Sequence, residues 1–307
     1  MAERLGSVPG VVLVSIAAAM WGLDGLIRKP LAASTDPATI VFGEHVLLVL
    51  LTLPLLIPAL RALIAAGPRY VLAGIAIGAG ASAVATILLT EAFVHGDYVT
   101  PLVLQKAQPL VAVLAAAVIL GEQPRRGYGW FLLAGLGGVW LIDVAHPLEP
   151  QARGLVTMAY ALGAAVLWGL GTVLGRYLTR EVRFEHITTV RFFFGLCGAA
   201  VALVVLRAPA WSGTANSSWI ALLALVTGAL AIPIYYYGLR RTPAMLATLG
   251  ELAFIATAIL VGIYAKNSHL RWTQWVGVVV TVAVVSLLPV RRRQIVRVPA
   301  TEPALAT

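Results

Sequence analysis

Charge is scarce in this chain. Only 11% of its 307 residues are Asp, Glu, Lys or Arg, and 13 of those are acidic, against roughly a quarter charged in soluble domains. So little polar surface cannot cover a large water-exposed domain. Cysteine is nearly absent too: a lone Cys197 rules out an internal disulfide, and its place in an apolar run reads as a buried, unreactive thiol. No Gly-x-x-x-x-Gly-Lys-Ser/Thr stretch occurs, which removes P-loop ATP hydrolysis. Gly80-Ala81-Ser82-Ala83-Val84 lacks the closing glycine of a Gly-x-Ser-x-Gly elbow. An intramembrane enzyme would need metal-spaced histidines or a His/Asp pair at active-site spacing, and His95-Gly96-Asp97 is too common a triplet to carry weight. No catalytic residue, metal or cofactor is therefore expected.

What fills the chain is apolar. Sixty per cent of the residues are hydrophobic and the mean hydropathy is +0.91, the composition of a membrane protein. A spanning helix takes about 20 residues. Apolar runs at about 8–28, 38–60, 71–95, 100–120, 128–144, 154–175, 187–206, 218–238, 244–264 and 273–290 predict ten transmembrane helices. Breakers such as Asp36-Pro37, Gly67-Pro68, Gly96-Asp97, Gln123-Pro124 and Thr242-Pro243 separate them. The fold class expected is all-α and integral to the membrane. A net charge of +9 raises nucleic acid as a partner, but no basic groove with interleaved aromatics appears.

Most of the positive charge instead falls between apolar runs, where it sets orientation because translocating it is costly. With the N-terminus inside, 14 Lys or Arg lie on the cytoplasmic side, including Arg61, Arg176, Arg240 and Arg291 to Arg293. Six lie outside (Arg28, Lys29, Arg153, Arg207, Lys266 and Arg271), and Lys106 and Arg191 sit within helices. Both termini are predicted cytoplasmic, with residues 291–307 a basic tail. Arg4 ahead of an apolar run ending in Ala17-Ala18-Ala19 looks like a signal peptide, yet the internal repeat makes this stretch a retained helix.

That repeat emerges on shifting the chain by 147, which lays Trp21-Gly22 on Trp168-Gly169, Ile40 on Ile187 and Glu44 on Arg191. At 146 Gln105 meets Glu251, and at 145 Gly129-Trp130 meets Gln274-Trp275. The units are 8–146 and 152–290. Five helices each is an odd number, so the second unit enters the membrane from the opposite side. Inverted repeats are a device of secondary transporters, with the substrate site near the midplane between units.

The two units, the Trp-Gly near the end of each first helix, Leu120-Gly121-Glu122, and Tyr237-Gly238-Leu239-Arg240-Arg241-Thr242-Pro243-Ala244 together resemble EamA-type members of the drug/metabolite transporter superfamily. The resemblance implies a ten-helix inner-membrane carrier with a central cavity, commonly an exporter of metabolites, amino acids or drugs. Two departures leave the substrate open. Tyr264-Ala265-Lys266 stands where Gly-Glu is expected, and Glu44 faces Arg191 in the repeat register.

Ionisable and strongly polar residues at membrane depth usually face a cavity or a partner. Those here are Glu44 and His45 on the second helix, Glu91 and His95 on the third, and Gln105, Lys106 and Gln108 on the fourth. The second unit adds Arg191, Tyr235 to Tyr237, and Glu251. Candidate substrate-binding residues are Trp21, Glu44, His45, Glu91, Gln105, Lys106, Gln108, Trp168, Arg191, Tyr236 and Glu251. Expected ion pairs are Arg191 with Glu251 and Lys106 with Glu44 or Glu91, each of which also reads as plain helix-to-helix adhesion. Glu44 beside His45 is the candidate proton-coupling site. At least one of the three tyrosines anchors at the interface, Asp24 is solvated near a helix end, and Pro109 opens the backbone beside Gln105 and Gln108. Gly74 to Gly78 and Gly171 to Gly175 have the spacing of close helix packing. The functional expectation is a small-molecule exporter in the lipid bilayer, monomer or homodimer, with protons as coupling partner. A lipid or lipid-linked sugar flippase on the same scaffold is the alternative, and an intramembrane enzyme the third.

Overall fold

A computed structural model describes residues 9–121, 128–143, 152–241, 250–266 and 269–287. Among these residues the chain is all helix and turn. The helical stretches are α1 Gly10–Ala32, α2 Pro37–Ala66, α3 Pro68–His95, α4 Thr100–Leu120, α5 Tyr128–Asp143, α6 Ala152–Leu178, α7 Phe184–Leu206, α8 Thr214–Leu239, α9 Leu252–Lys266 and α10 Trp272–Leu287. Seven of them, α1 to α4 and α6 to α8, are long and apolar enough to cross a membrane by length and composition. The other three have 15 or 16 residues. The basic tail 291–307, the expected start of the ninth helix before 250, and the breakers Gln123-Pro124 and Thr242-Pro243 lie outside the described residues.

Local sequence explains the helix ends. Asp36 caps α2 by accepting from the Ala38 amide, with Pro37 in the first turn, where its missing N–H costs nothing. Gly121 ends α4 in the left-handed conformation, φ 69°, which glycine adopts without penalty. α1 breaks at Leu23, between Gly22 and Asp24. Ahead of Pro109, α4 tightens into a 3-10 turn over Gln105–Ala107, and the Gln108 amide donates to the Gln105 carbonyl, so the turn closes where an opening was expected.

Periodicity does not foresee two wide turns. α3 widens into a π-helix over Ala76–Val84, and α8 does so over Ala224–Leu230. The shift of 147 carries Gly80 onto Thr227, so the two segments fall at the same place in the repeat register.

Packing between the halves is reciprocal. α1 lies against α8 and α9, and α6 against α3 and α4, while α2 pairs with α7 and α5 with α10. The Trp-Gly pairs show why. A Cβ on Gly22 would sit 2.6 Å from the Thr257 Cβ on α9, and one on Gly169 would sit 2.8 Å from the Gln108 carbonyl on α4. Only hydrogen fits at either crossing. The glycine spacings behave as expected: Gly74 and Gly78 admit Val190 and Phe194 of α7, and Gly171 and Gly175 admit Ala81 and Tyr236. Two buried clusters, one around Leu63, Ile77, Phe192 and Leu239 and one around Leu89, Leu102, Phe254 and Ala258, each join helices of both halves.

Cys197 departs from its expected burial: it is exposed on α7. An apolar run in a bilayer has no obligation to turn inward, since lipid takes the place of a protein core.

Candidate functional site

The halves line a common cavity of about 130 Å³. Nine of the eleven candidate residues line it: Trp21, Glu44, His45, Gln105, Lys106, Gln108, Trp168, Arg191 and Tyr236. Glu251 stands one layer back, accepting from the Tyr235 hydroxyl at 2.8 Å, and Tyr235 is the wall. Glu91 is not among the lining residues. It lies 3.9 Å from His95, both partly exposed, at the end of α3.

The strongest polar cluster in the cavity joins residues the sequence assigned elsewhere. Arg28, expected in an outer loop, is buried within α1. It donates from Nε to Asp24 at 2.6 Å, and from Nη2 to Asp24 at 2.9 Å and to Glu44 of α2 at 2.8 Å. A fourth, longer bond of 3.3 Å reaches Thr90 of α3. Asp24 is accordingly buried rather than solvated, because its carboxylate forks onto a guanidinium one helical turn away. Glu44 thus pairs with Arg28 and not with Lys106. Asp24 and Arg28 stand four apart in the sequence, a spacing that puts them on one helix face, and this was the signal available for finding the pair. Lys29 extends the same docking by donating to the carbonyls of Phe93 and Gly96 at the end of α3.

His45 is fixed at both nitrogens. Nδ1 lies 2.8 Å from the Val41 carbonyl and Nε2 lies 3.0 Å from the Ser82 hydroxyl. A carbonyl only accepts, so Nδ1 carries hydrogen, and in the neutral ring Nε2 takes the Ser82 proton. Ser82 sits in the π-segment of α3 and also receives Arg191 Nε at 3.3 Å. Arg191 completes its contacts on Tyr236 Oη at 3.2 Å and on the Ala81 carbonyl at 3.4 Å. The expected Arg191–Glu251 ion pair does not form, since the guanidinium is turned to α3 and Tyr236 while Glu251 is taken by Tyr235.

The π-segment of α8 supplies a matching carbonyl: Thr227 O accepts from Trp21 Nε1 at 2.9 Å. Wide turns free backbone acceptors from their own helix, and each of these turns offers one to a cavity side chain of the other half. Elsewhere in the wall Gln108 donates to Thr172 at 3.1 Å. Lys106 lies with Nζ 3.9 Å from the centre of the Phe254 ring. Tyr235 and Tyr236 are buried, whereas Tyr237 sits at the end of α8 with its hydroxyl bonded to Arg241. Sequence reasoning missed Arg28, Asp24, Ser82, Tyr235, Phe192 and Phe254 as lining residues. Apolar and hydroxyl side chains in an apolar run give no sign of which face they occupy.

Among the described residues no group of three or more His, Cys, Asp or Glu could hold a metal ion. The EamA-like transporter family model matches residues 8–143 and again 155–289. A curated relative, the riboflavin transporter ImpX of Fusobacterium nucleatum subsp. nucleatum, is 27% identical over 268 residues, covering 82% of this chain and 88% of its own. An uncharacterized transporter of Clostridium kluyveri is 26% identical over 148 residues, 47% of this chain and 48% of its own. A solved crystal structure 17% identical in sequence superposes with a TM-score of 0.61 over 90% of this chain and 95% of its own. That likeness concerns the fold.

Proposed function

The chain belongs to the EamA-like transporter family, and from that premise we propose that it carries a small organic solute across the membrane by alternating access through its central cavity. One observation carries the reading: polar side chains of both halves converge on one cavity with aromatic walls, the make-up of a small-molecule site. Ten spanning helices in two inverted units, 8–146 and 152–290, account for several features at once. These are the reciprocal packing, the paired π-segments, the two Trp-Gly crossings, and the presence of both Glu44 and Arg191 in the cavity wall. Inversion makes the two halves structural alternatives of each other, so exchanging their conformations opens the cavity to the other side.

Aromatic walls suit a solute with a flat ring. The relative named as a riboflavin transporter makes that compound the first to test, with amino acids and drug-like molecules next. Direction follows the family resemblance, which is export, and the cell inner membrane with both termini in the cytoplasm is its setting. Glu44, with its cavity position next to His45, is the group assigned to proton coupling.

The experiment is flux in proteoliposomes loaded with riboflavin or pooled amino acids and amines, with and without a pH gradient. Solute movement above protein-free vesicles is expected, faster with the gradient. Lipid scrambling without any solute flux would replace the carrier with a flippase.

A further inference from the structure

The cavity's hydrogen-bonding capacity is unevenly spent. On the acidic side, three of the four carboxylate oxygens of Asp24 and Glu44 already accept from Arg28, at 2.6 to 2.9 Å. A cation entering there must displace Arg28. Glu251 is likewise engaged by Tyr235.

The donor side is different. Arg191 touches three neutral oxygens, all at 3.2 to 3.4 Å, which is the long end of the range for such bonds. Among the described residues no carboxylate lies within ion-pair distance of it. Its five N–H groups exceed the three contacts it makes. Gln105 lines the same cavity, and its Nε2 is buried without any partner. Lys106 Nζ rests on the Phe254 ring face, and Glu251 is the carboxylate that acts on its charge. Arg191, Gln105 and Lys106 thus line one cavity, and Arg191 does so with N–H donors unspent and no carboxylate of its own. Phe192, Tyr236, Trp168 and Phe254 stand around that space.

Resting on the carrier reading above, we propose that Arg191 is the receptor for a carboxylate on the transported solute, which makes the substrate class small aromatic carboxylates. The guanidinium fork matches a carboxylate with two parallel N–H bonds, a geometry a lysine cannot reproduce. Gln105 and Lys106 supply the remaining donors, and the rings hold the aromatic part. The longer bonds to Ser82, Tyr236 and the Ala81 carbonyl hold the guanidinium in position. The shift of 147 puts Glu44, already paired with Arg28, at the equivalent place in the other half. The two units thus contribute opposite charges at equivalent positions, and the one left without a carboxylate is the cation.

The test compares three probes on one skeleton, phenylacetate, phenylacetamide and phenethylamine, by tryptophan-fluorescence titration of the full chain in nanodiscs. Phenylacetate is expected to bind at least tenfold more tightly than the amide, and the amine more weakly still. Arg191→Gln should bring acid and amide within about twofold of each other, with Arg191→Lys between the two proteins. Amide or amine binding equal to or tighter than acid overturns the proposal, as does a preference that survives Arg191→Gln or the absence of saturable phenylacetate binding. Should Arg191→Gln fail to fold, the wild-type series and Arg191→Lys decide alone. Flux in the same preparations, reconstituted, separates the two readings. Riboflavin or amino acid flux without acid preference sinks the carboxylate site and keeps the carrier, whereas binding with no flux of any solute sinks the carrier and keeps the site.

Discussion

Arg28 bonds to two carboxylates inside the bundle, so removing it leaves both buried without a counter-charge. Breaking such a pair from one side costs about 3–5 kcal/mol. Arg28→Gln is therefore expected to lower resistance to SDS unfolding by about that amount, and the triple change Asp24→Asn, Arg28→Gln, Glu44→Gln to recover much of it. Equal loss in both proteins would deny the network its structural role. The glycines of the Trp-Gly pairs are sensitive for another reason. With Thr257 and the Phe254 carbonyl 2.6 and 2.9 Å from an added Cβ, Gly22→Ala must push α1 from α9, at about 1–3 kcal/mol for overpacking. A thermal melt in detergent measures it. At this scale the sequence exposed ionisable residues well, because charge at membrane depth is rare and conspicuous. It could not say that Glu44 takes Arg28 instead of Lys106, since that choice depends on how α1 and α2 lie together.

At the scale of elements, α7 ends on Arg207 with φ 55°, a left-handed conformation that a side chain makes unfavourable and glycine does not. Arg207→Gly should raise thermal stability by up to about 1 kcal/mol, while a drop would show that the side chain has a partner worth more than the strain. Most helices were legible to within a few residues, since apolar length in a bilayer is a strong signal. The last turn of α1 was not, because Lys29 and Pro30 read as a loop beyond a helix ending at 28 when the partners on α3 are unseen. Nor were the π-segments of α3 and α8. Such a turn inserts one residue without changing composition, and its benefit, a carbonyl for Arg191 or Trp21, appears only across helices.

For the whole molecule, the exposed Cys197 is a native probe of which surface meets lipid. It is expected to react with maleimide in detergent far faster than with a charged methanethiosulfonate in intact vesicles, because a thiol in hydrocarbon cannot ionise. Equal rates would place that face of α7 against water. Orientation has its own check: a C-terminal reporter active only in the cytoplasm is expected, and periplasmic activity would reverse the arrangement drawn from the arginines. Composition alone put this chain in a bilayer, and the order of its apolar runs and repeated Trp-Gly pairs announced paired units, because helix formation in lipid depends on local apolar length. Which charges pair, which donors stay unsatisfied and which faces turn to the cavity were decided only by the packing of one half against the other. Those are contacts between residues far apart in the chain, and no local pattern encodes them.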